Sequence, residues 1–180
     1  MDERDALETA RRTKRIALTG FMGVGKTSVA RHLASMLRCE RLDLDHLIEI
    51  SERRKIVEII DADGEDAYRG IETRNLRVAL DNANARILSL GGGAWTVAEN
   101  RDLIRGYGLT SVWLDSSFNH CWNNIRLSRK VRPLARNKAS ARQLFDKRVE
   151  IYCLADWHFV VKPDLTSFDV ARRIYEEVFS

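Results

Sequence analysis

The sequence predicts an α/β protein of three layers, in which helices cover both faces of a central parallel sheet of about five strands. Short apolar runs alternate with amphipathic stretches of helical period along the chain. This alternation is typical of a parallel sheet that is buried on both faces. The 180 residues are 44% hydrophobic and 31% charged, a composition that suits one domain with a buried core.

The predicted strands are short, and helices separate them. We expect strands over residues 15–20, 86–90, 110–115 and 158–162, and an abbreviated strand within 40–45. The helical stretches are 26–37, 47–52, 56–64, 65–83, 99–108, 116–128, 140–156 and 167–179. The basic stretch 128–138 contains a proline and has no periodicity, so a loop is predicted there.

Two of these helices allow finer predictions. In the helix over 65–83, the spacing predicts that Ile71, Leu76, Val78 and Leu80 face the core. The helix over 116–128 begins at two serines, either of which can accept a hydrogen bond from a free backbone N–H group as an N-cap.

Composition and charge exclude several classes of protein. Residues 1–14 are charged and lack an apolar centre, so we expect a charged leader before a single domain over 15–180. A net charge of +4 with dispersed basic residues does not indicate nucleic-acid binding. The sequence contains no run of about 18 apolar residues, the length that would indicate a membrane span. Three distant cysteines, Cys39, Cys121 and Cys153, fit a reduced cytoplasmic protein in which each is a small buried group.

The stretch GFMGVGKT, residues 20–27, predicts a site for nucleoside triphosphates. It matches the pattern G-x-x-x-x-G-K-[ST] and lies between a predicted strand and a predicted helix, the context that this motif requires. We expect Lys26 to reach the β- and γ-phosphates and Thr27 to bind Mg²⁺. The D-x-x-G and N-K-x-D motifs of GTPases are absent from the expected positions, so a small kinase fits better. The predicted nucleotide-binding residues of the loop are Gly20, Met22, Gly23, Val24, Gly25, Lys26, Thr27 and Ser28.

A second glycine-rich turn follows the strand over 86–90. It consists of Gly91, Gly92 and Gly93. Since the first glycine loop already accounts for the nucleotide phosphates, we expect this turn to approach the molecule that accepts the phosphoryl group.

Six motifs together resemble the shikimate kinases. GFMGVGKTSVARHLA, LDLDHLIE, GEDAYRGIE, GGG, RPL and RVEIYCLAD occur in the order and approximate spacing of that family, and they cover residues 15–180. The resemblance implies a P-loop fold like that of nucleoside monophosphate kinases. It also implies acceptor-binding helices over about 43–84 and a mobile lid over about 126–140.

The resemblance implies roles for single residues at the acceptor end. Asp45 matches the general base that contacts the acceptor hydroxyl, and Arg69 and Arg148 match the arginines that hold the shikimate carboxylate. Glu72 matches an acidic residue that orients the arginine, and the glycines at 91–93 match the acceptor-binding turn. A planar guanidinium suits a carboxylate because it donates two parallel hydrogen bonds.

The resemblance also implies roles at the nucleotide end. Asp43 matches an aspartate near Mg²⁺, and Arg132 matches a lid arginine that reaches the transferred phosphate. Arg126 corresponds to a residue that stacks on adenine, and Lys162 and Pro163 correspond to an adenine-facing loop. Catalysis is thereby expected from Lys26, Asp45 and Arg132.

Each of these residues also has a structural interpretation. Arg69 and Glu72, three positions apart on a helix, could form an ordinary surface ion pair, and Asp43 or Asp45 could cap the following helix. The chain also departs from the family at Trp95, where a smaller residue is usual after the glycines. A tryptophan pointing into the cleft would reshape the acceptor pocket.

The resemblance implies transfer of the γ-phosphoryl group of ATP to the 3-hydroxyl of shikimate, with Mg²⁺, in aromatic amino-acid biosynthesis. We expect a cytoplasmic monomer with a small-molecule substrate. Gluconate kinases are an alternative, although they carry D-G-D-x-x-H-P where this chain has DLDHLIE. A nucleotide-binding paralogue without catalytic activity is another, although it should have lost one of the three catalytic residues.

Overall fold

The structure, a computed structural model, describes residues 13–179 and contains one parallel sheet. Its five strands are β1 (Ile16–Thr19), β2 (Glu40–Asp43), β3 (Ala85–Ser89), β4 (Thr110–Asp115) and β5 (Trp157–Val160). Their order across the sheet is β2-β3-β1-β4-β5, and every neighbouring pair is parallel. The prediction of a central parallel sheet of about five strands is therefore confirmed.

Eight α-helices lie within the described residues. They are α1 (Lys26–Leu37), α2 (Leu44–Glu52), α3 (Ile56–Asp63), α4 (Glu65–Asp81), α5 (Ala98–Gly106), α6 (Phe118–Leu127), α7 (Lys138–Tyr152) and α8 (Ser167–Val178). Single 3₁₀ turns occur at Ala94–Thr96 and, within the predicted loop, at Pro133–Ala135. The predicted leader lies almost entirely outside the described residues. Between residues 13 and 179, no helix combines the length and the apolarity needed to cross a membrane.

The core is centred on β1, the middle strand. All four of its residues are fully buried, as expected for a strand with a neighbour on each side and helices on both faces. The C-terminal helix α8 packs against α1. It begins with a capping box, in which Thr166 and Asp169 each accept a hydrogen bond from the backbone of the other.

Most local expectations agree with the structure, and two are wrong. Ser117 is the N-cap of α6, since its side chain accepts a hydrogen bond from the backbone of His120. Val78 does not face the core, because its side chain is 57% exposed. It lies about 200° around α4 from Leu76 and from Leu80, both of which are buried. Of the three cysteines expected to be buried, Cys121 is buried, Cys39 is only partly buried, and Cys153, which follows the last residue of α7, is exposed.

The register of the sheet brings three segments to one edge. Ser89 of β3 is level with Leu18 of β1 and with Asp43 of β2. The chain segments that follow these three strands therefore begin at the same height. They are the glycine loop at 20–27, the DLD segment and the glycine turn at 91–93, so the fold places all three at the carboxyl edge of the sheet.

Candidate active site

The loop over 20–27 requires glycine at three positions. Gly20, Gly23 and Gly25 have φ angles of 138°, 83° and 102°, a left-handed region that side chains disfavour. Space is a second reason at two of them. A Cβ atom on Gly20 would lie 2.5 Å from the carbonyl oxygen of Leu114, and one on Gly23 would lie 2.5 Å from that of Cys121. The helix α1 begins at Lys26, within this stretch, so its free N–H groups point toward the edge of the sheet.

Lys26 is held at the centre of this loop. Its side-chain Nζ atom donates hydrogen bonds to the carbonyl oxygens of Gly20, at 2.7 Å, and Phe21, at 3.1 Å. Burial lowers the pKa of Lys26 to about 8, and the nearby charge of Arg132 acts in the same direction. No carboxylate among residues 13–179 forms an ion pair with this ammonium group, which is therefore available to an anionic ligand.

The remaining loop residues predicted to bind the nucleotide differ in exposure. Met22 lines the main cavity, Ser28 is half-buried, and Val24 packs into the core. Val24 can therefore contact a ligand only through its backbone.

Thr27 and Asp43 lie together although 16 positions of sequence separate them. The hydroxyl of Thr27 donates a 2.7 Å hydrogen bond to Oδ2 of Asp43. Asp43 also caps α2, because its Oδ1 atom accepts from the backbone N–H of His46 at 3.2 Å. The donor set fits Mg²⁺, which binds few protein oxygens and takes its other ligands from water and phosphate. Residues 13–179 contain no group of three His, Cys, Asp or Glu side chains that could hold a metal by themselves.

The second glycine turn is crowded by the predicted acceptor-binding side chains. A Cβ atom on Gly91 would lie 2.7 Å from Oδ1 of Asp45 and 3.1 Å from Oε1 of Glu72. One on Gly93 would lie 2.5 Å from both terminal nitrogens of Arg69. The three glycines do not have a positive φ angle. The turn therefore needs glycine for space, since larger residues would displace the side chains that α2 and α4 direct toward it.

Arg69 and Glu72 form a partly buried ion pair rather than a surface one. Nη1 of Arg69 lies 2.7 Å from Oε2 of Glu72, whose side chain is fully buried, and Nη2 lies 3.0 Å from Glu65. Burial raises the pKa of Glu72, while Arg69 opposes that rise. The hydroxyl of Tyr68 donates to Oε1 of Glu72 at 3.2 Å. These contacts fix the direction of the guanidinium group.

Two further arginines, one buried and one partly buried, form no ion pair with a carboxylate among the described residues. Arg148 is 5% exposed, and its side chain hydrogen-bonds to that of Tyr152, whose hydroxyl donates to the carbonyl oxygen of Gly92. The Nε atom of Arg132 is buried and has no hydrogen-bond partner. Burial also lowers the pKa of Arg132. Buried cations of this kind cost free energy unless an anion pairs with them, so both mark a site for an anionic ligand.

One cavity of about 720 Å³ is lined by most of these groups, although Lys26, Glu72 and Gly91 are not among its lining residues. Its walls carry Thr27 and Asp43 from the nucleotide side. From the acceptor side and the predicted lid they carry Asp45, Arg69, Gly92, Gly93, Arg132 and Arg148. Residues predicted separately, from 27 to 148, therefore line one space, which has the size of a typical small-molecule site.

Three predicted adenine contacts are not part of this cavity. Lys162 and Pro163 line a second cavity of about 560 Å³ beside Trp113 and Phe118, at the ends of β4 and β5. Arg126 is exposed on α6. Contact of these residues with adenine stays a prediction.

Trp95 does not face the cleft. It is fully buried, and its indole Nε1 atom donates a 3.1 Å hydrogen bond to the carbonyl oxygen of Ile151. This tryptophan therefore attaches the glycine turn to the end of α7 and does not reshape the acceptor pocket.

Three residues of the site were not predicted from the sequence. Tyr68 and Tyr152 contact the acceptor-side groups, as described above, and they lie inside the motifs GEDAYRGIE and RVEIYCLAD, respectively. Their positions four residues from Glu72 and Arg148 were a usable signal, because residues so spaced share a helix face. The third is Lys130, whose Nζ atom lies 2.9 Å from Oδ2 of Asp45. Only its membership of the basic stretch 128–138 pointed to it.

Comparison with known proteins agrees with this site. The family model for shikimate kinase matches residues 22–179. The chain is 39% identical over 146 residues to a shikimate kinase of Ruegeria pomeroyi, an overlap of 79% of this chain and 73% of that protein. A solved structure, shikimate kinase from Acinetobacter baumannii in complex with shikimate, has a TM-score of 0.85 at 30% identity, covering 96% of each chain.

The alternative family shares the architecture only. A gluconokinase from Sinorhizobium meliloti 1021 has a TM-score of 0.56 at 15% identity, covering 94% of this chain and 97% of that one. Such a likeness shows the fold alone. The family-model match, in contrast, extends over residues 22–179, which include most of the glycine loop, the DLD segment and the glycine turn. The chain therefore belongs to the shikimate kinase family.

Proposed function

We propose that this chain transfers the γ-phosphoryl group of ATP to the 3-hydroxyl of shikimate, giving ADP and shikimate 3-phosphate. Membership of the family makes it an ATP-dependent kinase. The observation that carries the assignment of residues is the common cavity, which is lined both by Thr27 of the phosphate-binding loop and by Asp45, Arg69 and Arg148 at the glycine turn. A phosphoryl donor and an acceptor bound at its two ends would face each other.

At the nucleotide end, the loop over 20–27 binds the phosphates through its backbone N–H groups and the start of α1. On binding ATP, the ammonium group of Lys26 exchanges its two carbonyl partners for β- and γ-phosphate oxygens. Thr27 and Asp43 are the residues that would hold Mg²⁺, which when bound neutralises charge on the phosphates. Arg126, Lys162 and Pro163 are proposed to contact the adenine.

At the acceptor end, Arg69 and Arg148 bind the carboxylate of shikimate. Arg148 is suited to this role because it is buried without an anionic partner among the described residues, and Arg69 because Glu72 and Glu65 fix its direction. The three glycines leave the room in which these groups and the acceptor meet. Asp45 then accepts a hydrogen bond from the 3-hydroxyl and takes its proton as the new P–O bond forms.

Charge neutralisation and exclusion of water complete the proposed mechanism. Phosphoryl transfer depends mainly on positioning and on stabilisation of charge in the transition state. Arg132 lies in the segment over 126–140, which we propose to be a mobile lid, and its guanidinium group has an unpaired buried Nε atom. Closure of the lid brings this cation to the transferred group and keeps water away from ATP.

We further propose that the enzyme works as a cytoplasmic monomer. The cavity carries groups for both substrates within one chain, so a second copy is not needed to complete it. ATP is a cytoplasmic metabolite, and the three cysteines are free thiols, which suits a reducing compartment.

An acceptor screen tests the proposal. ADP release would be measured with ATP and Mg²⁺ in the presence of shikimate, gluconate, a nucleoside monophosphate or no acceptor. We expect rapid release with shikimate alone and loss of that activity in Lys26→Ala. Preference for gluconate would show a different acceptor, and no release with any acceptor would indicate a nucleotide-binding protein without kinase activity.

A further inference from the structure

Lys130 contacts the carboxylate that we assign as general base. Its Nζ atom lies 2.9 Å from Oδ2 of Asp45, and 85 positions of sequence separate the two residues. The side chain of Lys130 is 47% exposed and that of Asp45 is 25% exposed. The contact therefore joins the proposed lid to the acceptor pocket at the mouth of the cavity, where both residues are among the lining groups.

The two oxygens of Asp45 have different surroundings. Oδ1 is directed toward the glycine turn, because a Cβ atom on Gly91 would lie 2.7 Å from it. Oδ2 is the oxygen that Lys130 binds. An acceptor hydroxyl that approaches Oδ2 from the cavity must therefore share or replace the position of this ammonium group.

A second ion pair holds the same lid segment. Nη2 of Arg136 lies 2.6 Å from Oδ1 of Asp61 in α3. The segment is thus tied to the acceptor-binding helices on both sides of Arg132, through Lys130 before it and Arg136 after it. The two ion pairs differ in one respect that an experiment can use, since only the first involves a group of the proposed chemistry.

We propose that Lys130 is a positioning residue that occupies the acceptor-hydroxyl position of Asp45 until shikimate binds. This inference rests on the proposed role of Asp45. In the enzyme without acceptor, the ammonium group keeps Oδ2 from binding and orienting a water molecule, which limits hydrolysis of ATP to ADP and phosphate. Shikimate displaces Lys130, so its binding must break this ion pair, and the affinity for shikimate is lowered accordingly.

The test compares three variants with the wild-type enzyme. Lys130→Met removes the charge and keeps most of the side-chain length, and Lys130→Arg keeps a cation at the same place. Arg136→Met is the matched control, because it removes the other ion pair of the lid and leaves Asp45 and Lys130 intact. For each protein, the shikimate KM, kcat, the rate of ATP hydrolysis without acceptor and the calorimetric Kd for shikimate would be measured.

We expect Lys130→Met to lower the KM and Kd for shikimate about two- to fivefold, the factor that corresponds to a partly exposed ion pair. Hydrolysis without acceptor should rise by a similar factor of roughly two to five. Lys130→Arg should retain wild-type values, and Arg136→Met should not lower the KM for shikimate.

Other outcomes would overturn the inference. A higher KM or a lower kcat in Lys130→Met, with unchanged hydrolysis, would show that Lys130 binds the substrate or the transferred phosphate. A lower KM for shikimate and faster hydrolysis in Arg136→Met as well as in Lys130→Met would show a general loosening of the lid. If the wild-type enzyme phosphorylates shikimate while Lys130→Met behaves identically, only this inference fails. A wild-type enzyme that is inactive toward shikimate refutes the proposed function itself.

Discussion

The substitution Gly93→Ala tests the claim that the glycine turn provides room for the acceptor-binding arginine. The added Cβ atom would lie 2.5 Å from Nη1 and Nη2 of Arg69, whereas ordinary van der Waals contact begins near 3.4 Å. The guanidinium group must therefore withdraw by about 0.9 Å, the difference between these two distances. It cannot swing away freely, because Glu72 and Glu65 hold its two terminal nitrogens.

The expected loss follows from the hydrogen bonds that this displacement breaks. A hydrogen bond to a charged group contributes about 1.5–3 kcal/mol, which corresponds to a roughly 10- to 150-fold change in a binding or rate constant. We therefore expect kcat/KM for shikimate to fall by about that factor in Gly93→Ala. The KM for ATP should stay within about twofold of the wild-type value, because Arg69 is assigned to the acceptor alone.

The assay is coupled ADP release at saturating ATP with varied shikimate, followed by the reverse titration. Gly70→Ala is the matched control, since Gly70 follows Arg69 in α4 and a Cβ atom there meets nothing within 4 Å. It should leave the kinetics unchanged and stabilise the fold by up to about 1 kcal/mol, as alanine does within a helix. A folded Gly93→Ala enzyme with a wild-type shikimate KM would refute the reasoning, as would equal losses for both substrates.

Three further predictions concern the charged groups of the cavity. Arg148→Met should raise the shikimate KM at least about tenfold and leave the ATP KM unchanged. Its Tm should stay the same or rise, because the substitution removes a buried cation without an ion-pair partner among the described residues. A clear loss of Tm would argue for a structural role. The kcat/KM for ATP should fall as pH rises above about 8, because Lys26 loses its proton near that pH in the free enzyme. Replacing Lys26 with arginine should remove this alkaline limb from whatever activity remains, and an identical limb would assign it to another group. Asp43→Asn, which keeps the N-cap of α2, should raise the Mg²⁺ concentration for half-maximal rate, and an unchanged Mg²⁺ titration would count against Asp43 as a metal-site residue.

Local signals in the sequence predicted the elements that depend on local interactions. The strand over 110–115 and the helix over 26–37 agree residue for residue with Thr110–Asp115 and Lys26–Leu37. An apolar run flanked by polar residues is enough to assign such a strand, and an apolar stripe of helical period is enough to assign such a helix. Val78 shows the limit of this reasoning, because an apolar residue in a helix can face either solvent or the core, and its residue type alone does not distinguish the two.

The candidate site was predictable as a set of residues but not as a set of contacts. The order of the motifs indicated that Asp45, Arg69 and the glycine turn act together. That the turn requires glycine for space depends on how closely the side chains of α2 and α4 approach it, which no spacing in the sequence encodes. The contact between Lys130 and Asp45 spans 85 positions and joins α2 to a segment that lies outside the helices and strands. It follows from the course of the whole chain rather than from a local pattern.

The attachment of the glycine turn to the end of α7 has a consequence for the design of inhibitors. Tyr152 bonds to Gly92, and Trp95 bonds to Ile151, so the wall that carries Arg148 is assembled before any ligand arrives. A small aromatic or alicyclic acid could dock against this wall without ordering the rest of the cleft, and would keep most of its intrinsic affinity. Fragment screening for this enzyme should therefore begin with compact carboxylic acids, to be extended later toward the phosphate-binding loop.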